Sequence, residues 1–121
     1  MYSIHNQESH ISVRFSGDVN DTSLLQAVHD VASLPEYAFK NDVWIFTDCP
    51  AFVSYSKFGP VIMNIENMYL ANASRTKTAI VTTTGYNTAL ASIFAREAAS
   101  LPYEIRVFSD IDSAEAWIRA E

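Results

Sequence analysis

The sequence predicts a single α/β domain over residues 1–121: a mixed open sheet of about five strands, opening on a hairpin and continuing through parallel βαβ crossovers, with about four helices. Three observations carry this. Short runs of strand character alternate with stretches of helical period along 121 residues, a length suited to one hydrophobic centre. Apolar residues make up 49% of the chain and charged ones 18%, with three Gly and four Pro, which excludes disorder and low complexity. Val43-Trp44-Ile45-Phe46 and Thr78-Ala79-Ile80-Val81-Thr82 lack a polar face, as expected of central parallel strands covered by helices.

The first two strands are read at Tyr2 to His5 and His10 to Ser16, joined through the polar stretch Asn6-Gln7-Glu8-Ser9 as a hairpin. In the second, Ile11, Val13 and Phe15 alternate with Ser12, Arg14 and Ser16, which implies one buried face, one wet face and a place near the rim of the sheet. Gly17 to Thr22 supplies a turn and several N-capping side chains. Leu24, Leu25, Val28, Val31 and Ala32 then form one helical stripe, closed by Pro35. After the strand at Val43 comes a helix near Gly59 to Asn72, and after the strand at Thr78 a helix near Asn87 to Leu101, with Asn87 or Thr84 as its N-cap. Tyr103 to Phe108 alternates again and belongs toward the other edge. The terminal helix, near Asp112 to Ala120, has Asp112 and Glu115 at capping-box spacing and buries Ile111, Ala114, Trp117 and Ile118. The pattern does not give the strand order.

Charge and composition narrow the function. Fourteen acids against eight bases, net −6, leave no footprint for nucleic acid or an anionic membrane. The longest apolar run is four residues, too short for a spanning helix, and the opening residues lack a leader or lipidation pattern, so a cytoplasmic protein without stable membrane insertion is expected. The single cysteine, Cys49, has no internal partner, and no Lys, Arg or His beside it in sequence to depress its pKa.

Few residues suggest chemistry. His5 and His10 flank the hairpin turn but have no third metal ligand at a suitable spacing, and a surface position is the expectation for both and for His29. Thr82 to Thr88 has one glycine and no following Lys-Ser or Lys-Thr, so it fails the phosphate-loop pattern. Glu97 is the odd carboxylate: a helical wheel through Tyr86, Leu90, Ile93, Phe94 and Leu101 puts it in the buried stripe. There it must pair with a base such as Arg75 or Arg106, reach water at the helix end, or hold a raised pKa. With no convergent nucleophile and base and no metal set, an enzyme is not expected, and no cofactor is implied.

The helix near Gly59 to Asn72 is more informative. Val61, Ile62, Ile65, Met68 and Tyr69 account for its packing on the sheet, leaving Met63 and Leu70 on the opposite side, one above the other. The loop before it adds Phe52, Tyr55 and Phe58. Two readings stay open for this surface: contact with a second copy or another protein, and contact with a small apolar, lipid-like ligand.

Arg106-Val107-Phe108, followed after a short acidic loop by Ala114-Glu115-Ala116-Trp117-Ile118 and preceded by the strand Thr78 to Thr82, resembles the SpoIIAA-like family, distant relatives of the STAS domain. The matched residues occupy the last third of the chain, while the element order matches throughout. The resemblance implies an open α/β sheet, no cofactor, no established enzymatic activity, and action by docking partner proteins. Some relatives are switched by phosphorylation of a serine in an Asp-Ser-Ser-Gly-like motif before the helix after the third strand. Here that stretch is Tyr55-Ser56-Lys57-Phe58-Gly59, making Ser56 the candidate phosphoacceptor, with Tyr55 in place of the Asp and Lys57 in place of the second Ser. The expected function is therefore a non-enzymatic binding or regulatory domain working by protein association, including self-association as a homodimer. A carrier or sensor of a small apolar ligand is the alternative.

Overall fold

The computed structural model describes residues 2–17, 21–35, 40–48, 63, 76–83, 85–98 and 104–120. The elements are β1 (Tyr2–Asn6), β2 (His10–Ser16), α1 (Asp21–Ala32), β3 (Asn41–Asp48), β4 (Lys77–Val81), α2 (Gly85–Glu97), β5 (Glu104–Phe108) and α3 (Ile111–Arg119). The five strands form one sheet in the order β1-β2-β3-β4-β5. The β1–β2 pair is antiparallel and the other three pairs are parallel. The architecture is the expected mixed sheet. Three helices are described against about four expected; the helix read near Gly59 to Asn72 lies outside the described residues apart from Met63, which is helical.

Local chemistry explains the joints. Gly17 adopts φ 74, a left-handed conformation that an L side chain resists, and so lets the chain turn out of β2. The hairpin closes through Gln7 N–H donating to His10 C=O at 2.9 Å. The last helix starts one residue earlier than expected: its N-cap is Asp110, which accepts from Ser113 N–H at 2.7 Å and from the Ser113 hydroxyl at 3.0 Å. Asp112 sits inside the first turn. Likewise α2 begins at Gly85, so Asn87 is a fully buried helical residue rather than a cap.

Two cores lie on the two faces of the sheet. On one, Ile11, Val13 and Phe15 of β2, Trp44 and Phe46 of β3 and Ile80 of β4 meet Leu24, Ala27, Val28 and Val31 of α1, Leu90 and Ala91 of α2, and Ala98 just beyond it. Phe15 stacks on Phe46 with ring centres 4.8 Å apart. On the other face α3 lays Ala114 and Ile118 over Val43, Ile45, Ala79 and Val81, with Trp117 and Phe108 tilted against each other at 5.6 Å. Val43 to Phe46 are buried on both sides, as their composition predicts.

The place expected for β2 needs correction. It is an interior strand, with β1 outside it, and its polar face is not wet where α3 approaches: His10 is 2% exposed and Ser12 8%. Period-two alternation distinguishes the faces of a strand but does not say what covers the polar one. Strand order brings a second consequence. The crossovers β2→β3 and β4→β5 both advance in the same direction, so right-handed connections put α1 and α2 on one face, where their buried residues share a cluster. Within the parallel strands the order never reverses, and it is at such a reversal that open α/β sheets form a ligand crevice.

Candidate functional site

Of the residues expected to face a partner or ligand, Phe52, Tyr55, Phe58 and Leu70 lie outside the described residues, as do Ser56 and Cys49. Met63 is helical and 64% exposed, the one exposed large hydrophobic among the described residues. Glu97 is corrected: it ends α2 and is exposed, not buried. The wheel that buried it centred the stripe on Leu90, Ile93 and Phe94, whereas the buried side of the helix runs through Asn87, Leu90 and Ala91, with Ile93 and Phe94 only partly covered.

The carboxyl end of the sheet is furnished with threonines. The Thr82 and Thr88 hydroxyls lie 2.7 Å apart, joining β4 to the first turn of α2. Thr83 donates to Thr47 C=O at 3.4 Å, and Thr82 N–H donates to Phe108 C=O at 3.0 Å. These groups satisfy one another across β3, β4 and β5, and the described part of this rim presents hydroxyls rather than an apolar mouth.

At the amino end the sheet holds a group the sequence reading missed. Asp42 is 5% exposed, on the α1/α2 face, and accepts from Trp44 Nε1 at 3.0 Å and from the Thr78 hydroxyl at 2.5 Å. Burial pushes its pKa from the ordinary 3.8 up to about 6, against the opposing pull of those two bonds and of its own backbone N–H. The available signal was spacing: Asp42 and Trp44 stand two apart on a strand and so share a face.

On the opposite face His10 is buried rather than exposed. Its Nδ1 lies 2.8 Å from the Ser9 hydroxyl, and its Nε2 is 3.5 Å from Glu115 Oε2 of α3. Burial lowers its pKa below the ordinary 6.5; Glu115 opposes this, and Arg119 and Lys40 reinforce it. His5 is in register with Ser12, not with His10. A hydroxyl, an imidazole and a carboxylate thus stand in line, a grouping not foreseen from the sequence. The carboxylate is beyond hydrogen-bond reach of Nε2, and an imidazole 2% exposed has no access to a substrate, so the line serves packing rather than acyl transfer.

Beside it the last turn of α3 is stitched to the sheet. Lys77 Nζ donates to Trp117 C=O at 2.9 Å and to Ala120 C=O at 2.5 Å. Asn41 donates to Ile118 C=O at 3.1 Å and accepts from Lys77 N–H at 2.8 Å. The Trp117 ring has Lys77 Nζ and the Arg106 guanidinium each 5.3 Å from its centre. Across the sheet, Tyr2 donates to Asp30 of α1 at 2.5 Å, and that bond is the main reason its phenol is pushed up to about 12, with burial and the Asp30 charge adding to it.

With this geometry established, the fold has known counterparts. The chain has a SpoIIAA-like fold. It is similar over 98% of its length, and 92% of the other chain, to an uncharacterized protein of the DUF3478 family with a SpoIIAA-like fold from Shewanella loihica PV-4, at a TM-score of 0.59 and 10% identity. It is similar over the whole of both chains to the anti-sigma factor antagonist SpoIIAA in its unphosphorylated form, at a TM-score of 0.59 and 12% identity. No family model matches the sequence, and no curated protein does. Among the described residues no helix is long and apolar enough to cross a membrane.

Proposed function

We propose that this chain is a non-enzymatic binding or regulatory domain that acts by protein association, with the segment around Met63 as the contact surface and a second copy of the chain as its first partner. The observation that carries the reading is Met63. A thioether side chain 64% exposed on a helix is an adaptable apolar contact, and Leu70, two helical turns further on, falls on the same side if the helix continues. The likeness of the fold to an anti-sigma factor antagonist supports recognition as the mode of action. The hydroxyl-lined carboxyl rim and the absence of a strand-order reversal favour a surface contact over an enclosed apolar ligand.

The test is light scattering on the wild type and on a Met63→Glu, Leu70→Glu double variant. The wild type is expected at a multiple of the 13.5 kDa protomer and the variant at the protomer mass. An unchanged mass in a folded variant removes this surface from the assembly. Native mass spectrometry separates the alternative: a bound non-protein mass replaces self-association with ligand carriage.

A further inference from the structure

We propose that Asp42 is a proton-operated fastener between β3 and β4, tightening the fold as the surroundings turn mildly acidic and loosening it near neutrality. The argument starts from position. One in-register row crosses the whole sheet on the α1/α2 face: Asn6, Ile11, Asp42, Thr78 and Ile105. The carboxyl is in the middle strand of that row, flanked by an isoleucine on one side and a threonine on the other. An ionised carboxylate offers about four lone-pair sites, and two side-chain donors and one backbone N–H reach this one. Among the described residues no cation is paired with it. Lys40, two residues earlier in the chain, has its ammonium engaged at the far end of the row by Asn6 Oδ1 at 2.9 Å and Gln7 C=O at 2.6 Å.

The other described ionisable groups around it are bonded elsewhere or exposed. From α1 and β1 the face carries Asp30 and Tyr2, bonded to each other. From α2 it carries Arg96 and Glu97, both exposed, and from β5 Glu104 and Arg106, also exposed and 3.9 Å apart on the opposite face. Behind the sheet stand Lys77, held by α3 carbonyls, and His10 with Glu115. A buried carboxyl without a counter-charge is more stable with its proton on, where its O–H becomes a donor and its remaining lone pairs still accept from Trp44 and Thr78. Thr78 is the second residue of β4, where the chain has just returned from the segment that carries Met63, so the proton acts on the anchoring of that return.

The sign follows from linkage. The folded protein keeps the Asp42 proton up to about pH 6, while the unfolded chain releases it near 3.8. This contribution is therefore present in full below 3.8 and is lost as pH rises through about 6. His10 works in the opposite sense, so the informative comparison is between two proteins that both retain it.

Urea unfolding of the wild type and of Asp42→Asn, followed across mildly acidic and neutral pH, is the test. The unfolding constant of the wild type, divided by that of the variant, is expected to rise about 25-fold between pH ~4.5 and ~7.5. Parallel profiles overturn the proposal. Carboxyl-carbon NMR of aspartate-labelled wild type supplies a readout that does not depend on the variant folding. A midpoint near 6 for Asp42 supports the proposal, and a midpoint near 4 overturns it. Thr78→Val, which removes one donor to the ionised form, is expected to move that midpoint further up; a downward move overturns it too.

Discussion

Replacing Lys77 with Met tests how the last helix is held. The substitution keeps the aliphatic stem and removes the ammonium that donates to Trp117 C=O and Ala120 C=O, at 2.9 and 2.5 Å. Those carbonyls belong to the end of α3, where Trp117 C=O also accepts from Ala120 N–H at 3.2 Å. A hydrogen bond is worth about 1 kcal/mol net, a cation at a helix C-terminus about 0.3–1 kcal/mol, and a cation over an exposed Trp face about 0.5–1 kcal/mol. These overlap, because one charge makes all three, and water can take over part of the work at an exposed end. The expected loss is about 1–2 kcal/mol, or roughly 4–10 °C in Tm for a chain of this size. Lys77 N–H still donates to Asn41 and Asn41 still reaches Ile118 C=O, so the helix frays rather than detaches. Urea unfolding by circular dichroism gives the magnitude, and hydrogen exchange should show the protection loss concentrated in α3. Lys77→Arg should keep most of the stability. A Lys77→Met protein within about 0.3 kcal/mol of the wild type, with α3 exchange unchanged, would refute the reasoning.

Three further substitutions probe two other joints. Asp110→Ala removes the N-cap of α3 and is expected to cost about 1 kcal/mol in urea unfolding, while Asp112→Ala, inside the first turn, costs less; the reverse ranking would show that the cap is misassigned. Tyr2→Phe should lose about 1 kcal/mol at neutral pH through the bond to Asp30. In the wild type the folded phenol keeps its proton from pH 10 to about 12 while the unfolded one loses it, so stability should fall as pH rises above 10, and this alkaline loss should vanish in the variant.

Much of the fold was legible because its signals are local. The strands at Val43 and Thr78 announced themselves by apolar residues on both faces, and the α1 stripe by its period. What stayed hidden depends on which element lies over which. Ser12 and His10 look like a wet face in sequence, and only the later arrival of α3, about a hundred residues on, covers them. Glu97 was misplaced because the stripe was centred on Ile93 and Phe94, while the buried side of α2 runs through Asn87, Leu90 and Ala91. Asp42 was overlooked because it precedes the apolar run and reads as the acid that ends a loop, although its strand starts at Asn41. Asp112 with Glu115 reads as a capping box in sequence, yet the cap is Asp110, two residues earlier, and Asp112 falls inside the first turn.

The strand order constrains how such a molecule can work. In a doubly wound sheet the reversal of strand order separates two neighbouring crossovers to opposite faces, and the gap between them receives the ligand. Here β2 to β5 succeed one another without reversal, α1 and α2 share one face, and the described carboxyl rim is closed by hydroxyl-to-hydroxyl and hydroxyl-to-carbonyl contacts. The exposed side chain of Met63 lies in the β3–β4 connection, the longest excursion between neighbouring strands, and the return of that excursion is pinned by the Thr78–Asp42 bond. Association through the first and proton loading of the second then become separable in one experiment: Asp42→Asn should remove the pH dependence of unfolding while leaving the light-scattering mass that Met63→Glu, Leu70→Glu changes. A single substitution that abolished both would mean that the two features are one structural unit.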